Sequence, residues 1–443
     1  MLLRSLALPR LAALALPLGL AAPLLAQAND WVGYRGPHRD GIAEGCAPPL
    51  EWSGEQNLAW RIELPGAGAS SPIILGDRVI VACYSGYGIV NEEGEPQDLE
   101  HRLLCLSLED GAQHWERVVP GALTTPARQV QIREHGFASP TPLTDGERIY
   151  AYLGRAGVVA LDLDGELLWQ ADLGEPSPDA AAATNAIERN GHRIPLRWGP
   201  AASPLLFDDL VIVNCSEESN SIRAFDRKTG ELRWTRESSN LEGSAISPML
   251  AGPADAPVLV IALGGEVWGL NPHTGDEFWK VETGTRGGMS PTPVADTELV
   301  YTFGGGDSHA LRFAADVAED ERVAWKGQGM DISSPLLHDS KLFCVQMKGT
   351  ALCLNAADGE VGFRGRLDGR TGGIYASPVL AAGRLYVVSR EKGTFVYSAD
   401  GEYELLAHNV FEDDESQFNA SPALAGDRLL LRSDRYLYCV RKS

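Results

Sequence analysis

Short apolar runs separated by polar turns fill nearly the whole chain after its first thirty residues. A typical unit, Ser334 to Phe363, has three apolar runs divided by small turns, then Asp-Gly and a final aromatic run. Runs this short, bounded by turn residues, predict β-strands, and no long later stretch has the 3.6-residue apolar period of a helix. The pattern therefore predicts an all-β protein made of four-stranded antiparallel units.

The dipeptide Ser-Pro marks where these units begin. A period of this size predicts the blades of a β-propeller, so the 443 residues form one large domain rather than the three that length alone suggests. A further Ser-Pro at Ser177 is followed by no apolar strand and is not counted. The eight counted serines, of which the last six lie 43 or 44 residues apart, are Ser71, Ser139, Ser203, Ser247, Ser290, Ser334, Ser377 and Ser421.

The eighth unit has only three apolar runs before the chain reaches Ser443. The pattern of a fourth strand occurs instead near the other terminus, at Leu58 to Ile62. Pairing of this strand with the last unit would close the ring and protect its edges. We therefore expect an eight-bladed propeller over residues 57–443, with the last blade closed by an N-terminal strand.

The first thirty residues have the features of a secretory signal peptide. Arg4 and Arg10 precede the apolar run Leu11 to Leu25, and Ala26 to Ala28 supplies the small-x-small pattern of a cleavage site. We expect residues 1–28 to be removed and residues 29–56 to form an N-terminal extension. The mature protein would then be periplasmic or extracellular.

A transmembrane anchor is the alternative interpretation of the same run. Its 15 residues are interrupted by Pro17 and Pro23, whereas a spanning helix needs about 20 apolar residues. We therefore expect no transmembrane span in the mature chain.

The net charge of -22 at pH 7 limits the possible partners. Nucleic acids and anionic membrane surfaces attract clustered Lys and Arg and repel such an acidic chain. We therefore expect neither a nucleic acid nor an anionic membrane surface as a partner. We also expect the protein to be a monomer.

The segment Ala224 to Trp234 resembles the tryptophan-docking repeats of the pyrroloquinoline quinone (PQQ)-like β-propeller superfamily. Residues Trp31 to Gly41 and Leu50 to Trp52 are similar to an exported subgroup without an assigned activity. The superfamily includes quinoprotein alcohol dehydrogenases and a lipoprotein that scaffolds outer-membrane β-barrel assembly. The resemblance implies a structural docking role for the aromatic residues of the final strands, namely Trp60, Trp115, Trp169, Trp234, Trp279 and Trp325.

The chain departs from the dehydrogenase pattern in two ways. No two of its seven cysteines are adjacent, and it has no Cys-x-x-Cys-His haem segment. The Glu, Asn and Asp that would bind calcium cannot be assigned either. We therefore expect no cofactor and no metal, with PQQ and calcium implied only if the protein is a dehydrogenase.

Cys344 and Cys353 flank the turn Lys348-Gly349 at equal distances. This spacing predicts that they face each other on neighbouring strands, where an exported protein could oxidise them to a disulfide. The alternative is that Cys353, like Cys105 and Cys439, fills a position that other units give to a small residue for packing.

The three longest insertions, Ser85 to His101, Arg117 to Phe137 and Gln170 to Trp198, fall in connections that share one face of the ring. Loops gathered on a rigid scaffold often carry function. Residues just ahead of each Ser-Pro should surround the channel mouth on this face, either as a binding site or as ordinary solvated loop residues. They are His135, Trp198, Glu242, Arg286, Asp331, Tyr375 and Gln417.

These features favour an exported, non-catalytic propeller that binds a protein, peptide or glycan of the cell envelope through its loop-rich face. One alternative is a PQQ- and calcium-dependent dehydrogenase that oxidises alcohols or sugars. A second is a scaffold for outer-membrane protein assembly, against which the lack of a lipid-anchor cysteine counts. The propeller fold alone does not indicate which of these three functions the protein has.

Overall fold

The computed structural model describes residues 30–89, 93–123, 134–173, 186–189, 192–195, 199–241, 244–283, 290–329, 332–367, 369 and 371–442. The predicted signal peptide, residues 1–28, lies outside them. Within the described part, no helix is both long and apolar enough to cross a membrane.

Eight four-stranded antiparallel sheets form an eight-bladed propeller, which confirms the predicted fold class. Strand A of each blade is the innermost and strand D the outermost. The strands A to D are Ile73–Leu75, Arg78–Ser85, Glu100–Ser107 and Gln113–Pro120 in blade 1; Leu143–Thr144, Arg148–Tyr152, Val158–Asp162 and Leu167–Ala171 in blade 2; Leu205–Phe207, Leu210–Cys215, Ser221–Asp226 and Leu232–Glu237 in blade 3; and Met249–Ala251, Val258–Ala262, Glu266–Leu270 and Glu277–Glu282 in blade 4.

The second half of the ring repeats this plan. The strands A to D are Val294–Ala295, Leu299–Phe303, Asp307–Arg312 and Val323–Gln328 in blade 5; Leu336–His338, Lys341–Val345, Thr350–Asn355 and Val361–Arg366 in blade 6; Val379–Ala381, Arg384–Val388, Thr394–Ser398 and Leu405–Asn409 in blade 7; and Ala423–Ala425, Arg428–Arg432, Tyr436–Arg441 and Leu58–Glu63 in blade 8.

In the described residues the only other elements are short. They are the hairpin Ala186–Arg189 and His192–Pro195, the α-helix Ser216–Ser219, and 3₁₀ turns at Pro96–Asp98, Gly154–Ala156, Ser239–Leu241 and Glu319–Glu321.

The N-terminal strand closes blade 8 as the incomplete last unit predicts. Leu58–Glu63 pairs antiparallel with Tyr436–Arg441, and Trp60 lies opposite Cys439. The ring is therefore closed by hydrogen bonds between the two ends of the chain.

Neighbouring blades are joined by the predicted tryptophans of strand D. Each indole packs against the turn between strands C and D of the next blade, where its N–H donates to a backbone carbonyl. At Gly275 the turn has φ of +75°, and an added Cβ would lie 2.7 Å from the Trp234 ring, so only glycine fits there. The donor and acceptor pairs are Trp60 and Leu108 (3.0 Å), Trp115 and Leu163 (2.9 Å), Trp169 and Arg227 (3.1 Å), Trp234 and Pro272 (3.1 Å), Trp279 and Phe313 (2.7 Å), and Trp325 and Ala356 (2.8 Å).

The contact between blades 6 and 7 reverses this arrangement. Strand D of blade 6 carries Phe363, which has no N–H to donate. Tyr403 from the C–D turn of blade 7 packs instead on the Phe363 ring, with centroids 6.0 Å apart, and its hydroxyl donates to the Arg366 carbonyl at 2.7 Å. Tyr403 thus supplies the hydrogen bond that the missing tryptophan would have made.

In two blades the repeat begins two residues later than Ser-Pro spacing indicates. Strand A starts at Leu143 in blade 2 and at Val294 in blade 5, and each is preceded by Thr-Pro. Thr141 and Thr292, rather than Ser139 and Ser290, are therefore the structural equivalents of the repeated serine. Both segments read Ser-Pro-Thr-Pro, and threonine has the hydroxyl that the position requires.

The disulfide predicted between Cys344 and Cys353 is not formed, because the strand register is shifted by one residue. Cys353 lies opposite Phe343, whereas Cys344 lies opposite Leu352. Successive side chains of a strand point to opposite faces. Cys344 packs in the core toward blade 5 and Cys353 in the core toward blade 7, and all seven cysteines are free and buried.

We predict that alkylation will find seven free thiols without any reductant. Burial raises the pKa of both the Cys344 and the Cys353 thiols, which leaves little reactive thiolate in the folded protein. Iodoacetamide should therefore label the native protein slowly and add seven groups in denaturant, as intact mass will show. Only five groups added in denaturant would mean that one disulfide exists.

Ring closure predicts that Trp60→Ala destabilises the protein as much as Trp234→Ala does. Each change removes a buried indole and its hydrogen bond between blades, at a cost of about 3–5 kcal/mol. Urea unfolding followed by circular dichroism measures this loss. Leu232→Ala, at a half-exposed position of the same strand as Trp234, is the control and should change little. If Trp60→Ala left the free energy of unfolding unchanged, closure by the N-terminal strand would be contradicted.

Candidate functional site

A ring of hydroxyl groups surrounds the central channel where the innermost strands begin. The backbone N–H of the Ser or Thr in one blade donates to the hydroxyl oxygen of its equivalent in the next blade. This bond holds each hydroxyl at the channel wall, and alanine could not accept it. The pairs are Ser71 to Thr141 (3.0 Å), Thr141 to Ser203 (3.0 Å), Ser203 to Ser247 (2.9 Å), Thr292 to Ser334 (2.9 Å), Ser334 to Ser377 (2.9 Å) and Ser377 to Ser421 (2.8 Å).

The N-terminal extension crosses the channel on the face of the A–B turns, opposite the long insertions. Asp30 accepts a hydrogen bond of 2.8 Å from the N–H of Gly76 in the A–B turn of blade 1. Trp31 forms a β-bridge with Ile74 of blade 1, and Ile42 forms one with Leu380 of blade 7. The segment between them therefore spans the channel.

Two arginines and a tyrosine fix this crossing. The Arg35 side chain is 1% exposed and donates to the carbonyls of Asp40 (2.7 Å) and Pro335 (2.5 Å), while Arg39 donates to Pro204 at 2.8 Å. Burial lowers the pKa of Arg35 and lowers that of Arg39 to about 10. The Arg39 guanidinium remains charged near neutral pH, and the hydrogen bonds of both side chains hold the crossing segment against blades 6 and 3.

Tyr34 forms the floor of the channel. Its hydroxyl lies 2.9 Å from Ser377 Oγ and 3.3 Å from Ser334 Oγ, both in the hydroxyl ring. The sequence identifies Trp31 to Gly41 only as a motif of a propeller subgroup. Its role as a floor depends on contacts about 300 residues away, which spacing along the chain does not reveal.

A cavity of about 490 Å³ extends from this floor to the loop face. The hydroxyl ring contributes most of the lower part of its wall. The other residues that line it are Tyr34, Ala69, Glu134, His135, Ser139, Gly199, Ala201, Glu217, Ala245, Ser290, Ile332, Tyr375 and Asn419.

The structure brings three of the seven predicted mouth residues together. Tyr375 donates to Glu134 at 2.7 Å, and Arg390 forms an ion pair with the same carboxylate at 3.0 Å. The guanidinium also lies over the Tyr375 ring, 4.1 Å from its centroid, and donates to Gln417 Oε1 at 2.6 Å. His135, the next residue after Glu134, lines the cavity.

Glu134 and Arg390 are functional candidates that sequence reasoning missed. They are 256 residues apart, and Arg390 lies in a B–C turn rather than ahead of a Ser-Pro. Their ion pair joins the end of the blade 1–2 insertion to blade 7, across the channel mouth. We call Glu134, Tyr375, Arg390 and Gln417 the mouth brace.

His135 is held in one orientation by the serine that precedes blade 2. Ser139 Oγ donates to the His135 carbonyl at 3.1 Å and lies 2.7 Å from Nδ1 of the ring. These two contacts fix the position of the imidazole. The other four predicted mouth residues, Trp198, Glu242, Arg286 and Asp331, lie outside the described residues, and their roles stay predictions.

A second cavity of about 830 Å³ lies beside the mouth, between blades 8 and 1. It shares His135 and Asn419 with the channel cavity and is also lined by Gly68 and Asp434. Burial raises the pKa of the Asp434 carboxyl to about 6, although the Gly68 N–H and the charge of Arg432 oppose the shift. Asp434 therefore titrates close to physiological pH.

The described lining does not suit PQQ. PQQ carries three carboxylates, whereas the described wall of the channel cavity has the carboxylates of Glu134 and Glu217 and neither lysine nor arginine. Among the described residues no group of three His, Cys, Asp or Glu is placed to bind a metal ion.

Comparison with known proteins identifies the family. Residues 53–176, 102–338 and 316–442 match the model described as outer membrane protein assembly factor BamB. The chain belongs to this family. It is a PQQ-like β-propeller, as the repeats predict.

Similar proteins differ widely in activity. BamB of Burkholderia pseudomallei is 23% identical over 364 residues, which cover 66% of this chain and 93% of the relative. The crystal structure of BamB from Moraxella catarrhalis has a TM-score of 0.58 at 15% identity and covers 86% of this chain and 95% of that one. A europium-containing methanol dehydrogenase has a TM-score of 0.61 at 11% identity and covers 93% and 98%. The two structural likenesses show the fold alone.

We predict that Asp434→Asn will remove one component of the pH dependence of stability. The folded carboxyl binds its proton up to about pH 6, but the unfolded one releases it near its ordinary pKa of 3.8. Wild-type stability therefore falls as the pH rises through this window, by up to about 3 kcal/mol relative to the variant.

Urea unfolding of both proteins at pH 4, 5, 6 and 7 measures this difference and cancels the contributions of other groups. Asp255→Asn, at an exposed aspartate, is the control and should follow the wild type. A constant difference between Asp434→Asn and wild type across the series would contradict the shifted pKa.

Proposed function

We propose that this chain is an exported, non-catalytic propeller that binds a protein partner in the cell envelope through its loop face. The loop face is the one that carries the D–A and B–C connections and the channel mouth. Residues 1–28 are the predicted export signal, and membership of the BamB family supports a protein partner in the envelope.

The mouth brace is the observation on which this proposal depends. Glu134 accepts from both Tyr375 and Arg390, so a long insertion is tied across the mouth to a distant blade. The Arg390 side chain is only 10% exposed, and partial burial strengthens its attraction to Glu134 relative to a surface pair. Loops held in one arrangement lose less entropy when a partner binds, which favours a recognition surface.

The charge of the chain indicates the character of the partner. A net charge of -22 gives a field that attracts basic surfaces and speeds their encounter. We expect the partner to present a basic patch to the loop face. Its binding should therefore weaken as ionic strength rises.

The dehydrogenase alternative has weaker support. It rests on fold likeness at 10–11% identity, while the described cavity wall offers no cation for a tricarboxylate. Purified protein incubated with PQQ and calcium should therefore retain no quinone absorbance after desalting and should reduce no dye with alcohols or sugars. Retained quinone with turnover would contradict the non-catalytic proposal.

Site-specific photocrosslinking in the producing cells tests the proposed surface. A photoreactive residue at Glu415, which is exposed on the loop face, should yield one discrete adduct. The same residue at Asp77, exposed in an A–B turn on the opposite face, is the matched control and should yield none.

The brace gives this experiment a second comparison. Arg390→Met removes the ion pair and should reduce the Glu415 adduct at least about fivefold, because it releases the insertion. Circular dichroism and thermal melting check that the variant is folded. Equal adducts from both faces, or an adduct that Arg390→Met does not change, would contradict binding through the loop face.

A further inference from the structure

We propose that the channel cavity is a binding site for a small neutral saccharide. The site lies between the floor and the mouth, below the surface that a protein partner would cover, and it requires no partner. Its evidence is the hydrogen-bonding character of the wall between Tyr34 and the mouth.

The hydroxyl ring supplies donors. Thr141, Ser203, Ser247 and Ser421 each accept a backbone N–H from the neighbouring blade through the hydroxyl oxygen. None of these hydroxyls donates to another described residue, so each hydrogen is available to a ligand in the channel. A ligand rich in hydroxyl oxygens could accept several such bonds at once.

Asn419 supplies an acceptor with no protein partner. Its Oδ1 is buried and accepts no hydrogen bond from the described residues, yet its side chain lines the cavity next to Ser421. An unmet acceptor in a buried position costs about 1–3 kcal/mol unless something donates to it. A sugar hydroxyl can donate to Asn419 while its oxygen accepts from the ring.

The charges in the cavity favour a neutral ligand. An anion would meet the carboxylates of Glu134 and Glu217 with no lysine or arginine in the described wall. A cation would gain little from Glu134, because Arg390 already forms an ion pair with that carboxylate. A neutral polyhydroxylated molecule avoids the repulsion that an anion would meet.

Size and aromatic content agree with this class. The volume of about 490 Å³ lies within the range of about 300–1,000 Å³ found for small-ligand pockets. Tyr34 at the floor and Tyr375 at the mouth give apolar surface for the C–H groups of a sugar ring. A disaccharide is the size of ligand that we expect.

Isothermal titration calorimetry with purified full-length protein tests the site. The probes are cellobiose, maltose and di-N-acetylchitobiose, with cellobionate and glucosamine as charged counterparts. At least one neutral disaccharide should bind, and the charged sugars should bind at least about tenfold more weakly or not at all. Failure of all three disaccharides to bind at 20 mM would overturn the proposal, as would tighter binding of a charged sugar.

Variants locate the binding within the molecule. Ala245→Trp fills the cavity and should abolish binding, whereas Ala357→Trp, at an exposed C–D turn, should leave it unchanged. Asn419→Ala should weaken binding about fivefold through loss of one hydrogen bond. Binding that survives Ala245→Trp in a folded protein would place the sugar elsewhere and overturn the proposal.

This result is independent of the crosslinking experiment. Loss of sugar binding in Ala245→Trp with an unchanged Glu415 adduct would support a cavity site beside an intact partner surface. An absent adduct with normal sugar binding would instead reject the protein partner and keep the saccharide site.

Discussion

The stability of the ring depends on one repeated contact, in which an indole on the outer strand of a blade docks on the C–D turn of the next. It combines a buried aromatic surface with a hydrogen bond to a backbone carbonyl, as Trp234 does with Pro272. The innermost strands are only two or three residues long, so they cannot hold the ring by themselves. Neighbouring blades are therefore joined at the outer edge by indole docking and at the inner edge by hydrogen bonds to the hydroxyl ring.

Most of the architecture could be predicted from local sequence, because each blade repeats the same order of strands and turns. Apolar runs, turn glycines and the aromatic of strand D occur at nearly constant spacing, and the incomplete eighth unit indicates closure at Leu58–Glu63. The errors are local. Thr141 and Thr292 replace the expected serines because a hydroxyl, not serine itself, is what the position needs, and one residue of register separates Cys344 from Cys353.

The candidate site is less readable, because its parts come from distant places in the chain. Seven residues were chosen because each lies just ahead of a repeat, and the structure brings three of them together. They are His135, Tyr375 and Gln417. The same reasoning could not find Arg390, whose partner Glu134 lies in an insertion with no counterpart in other blades. Nor could it find Tyr34, because nothing in a repeat pattern indicates that residues outside the repeats close the channel.

The N-terminal segment has a consequence for the order of assembly. Trp60 precedes the other seven blades in the chain, yet its strand partner Cys439 follows all of them. Such a large sequence separation makes closure a late and slow event. Until then the outer edge of blade 8 is unpaired, and the strand that carries Trp60 is not paired with Tyr436–Arg441. A chain interrupted during translation or export would thus expose an open strand edge that cellular proteases and chaperones can recognise.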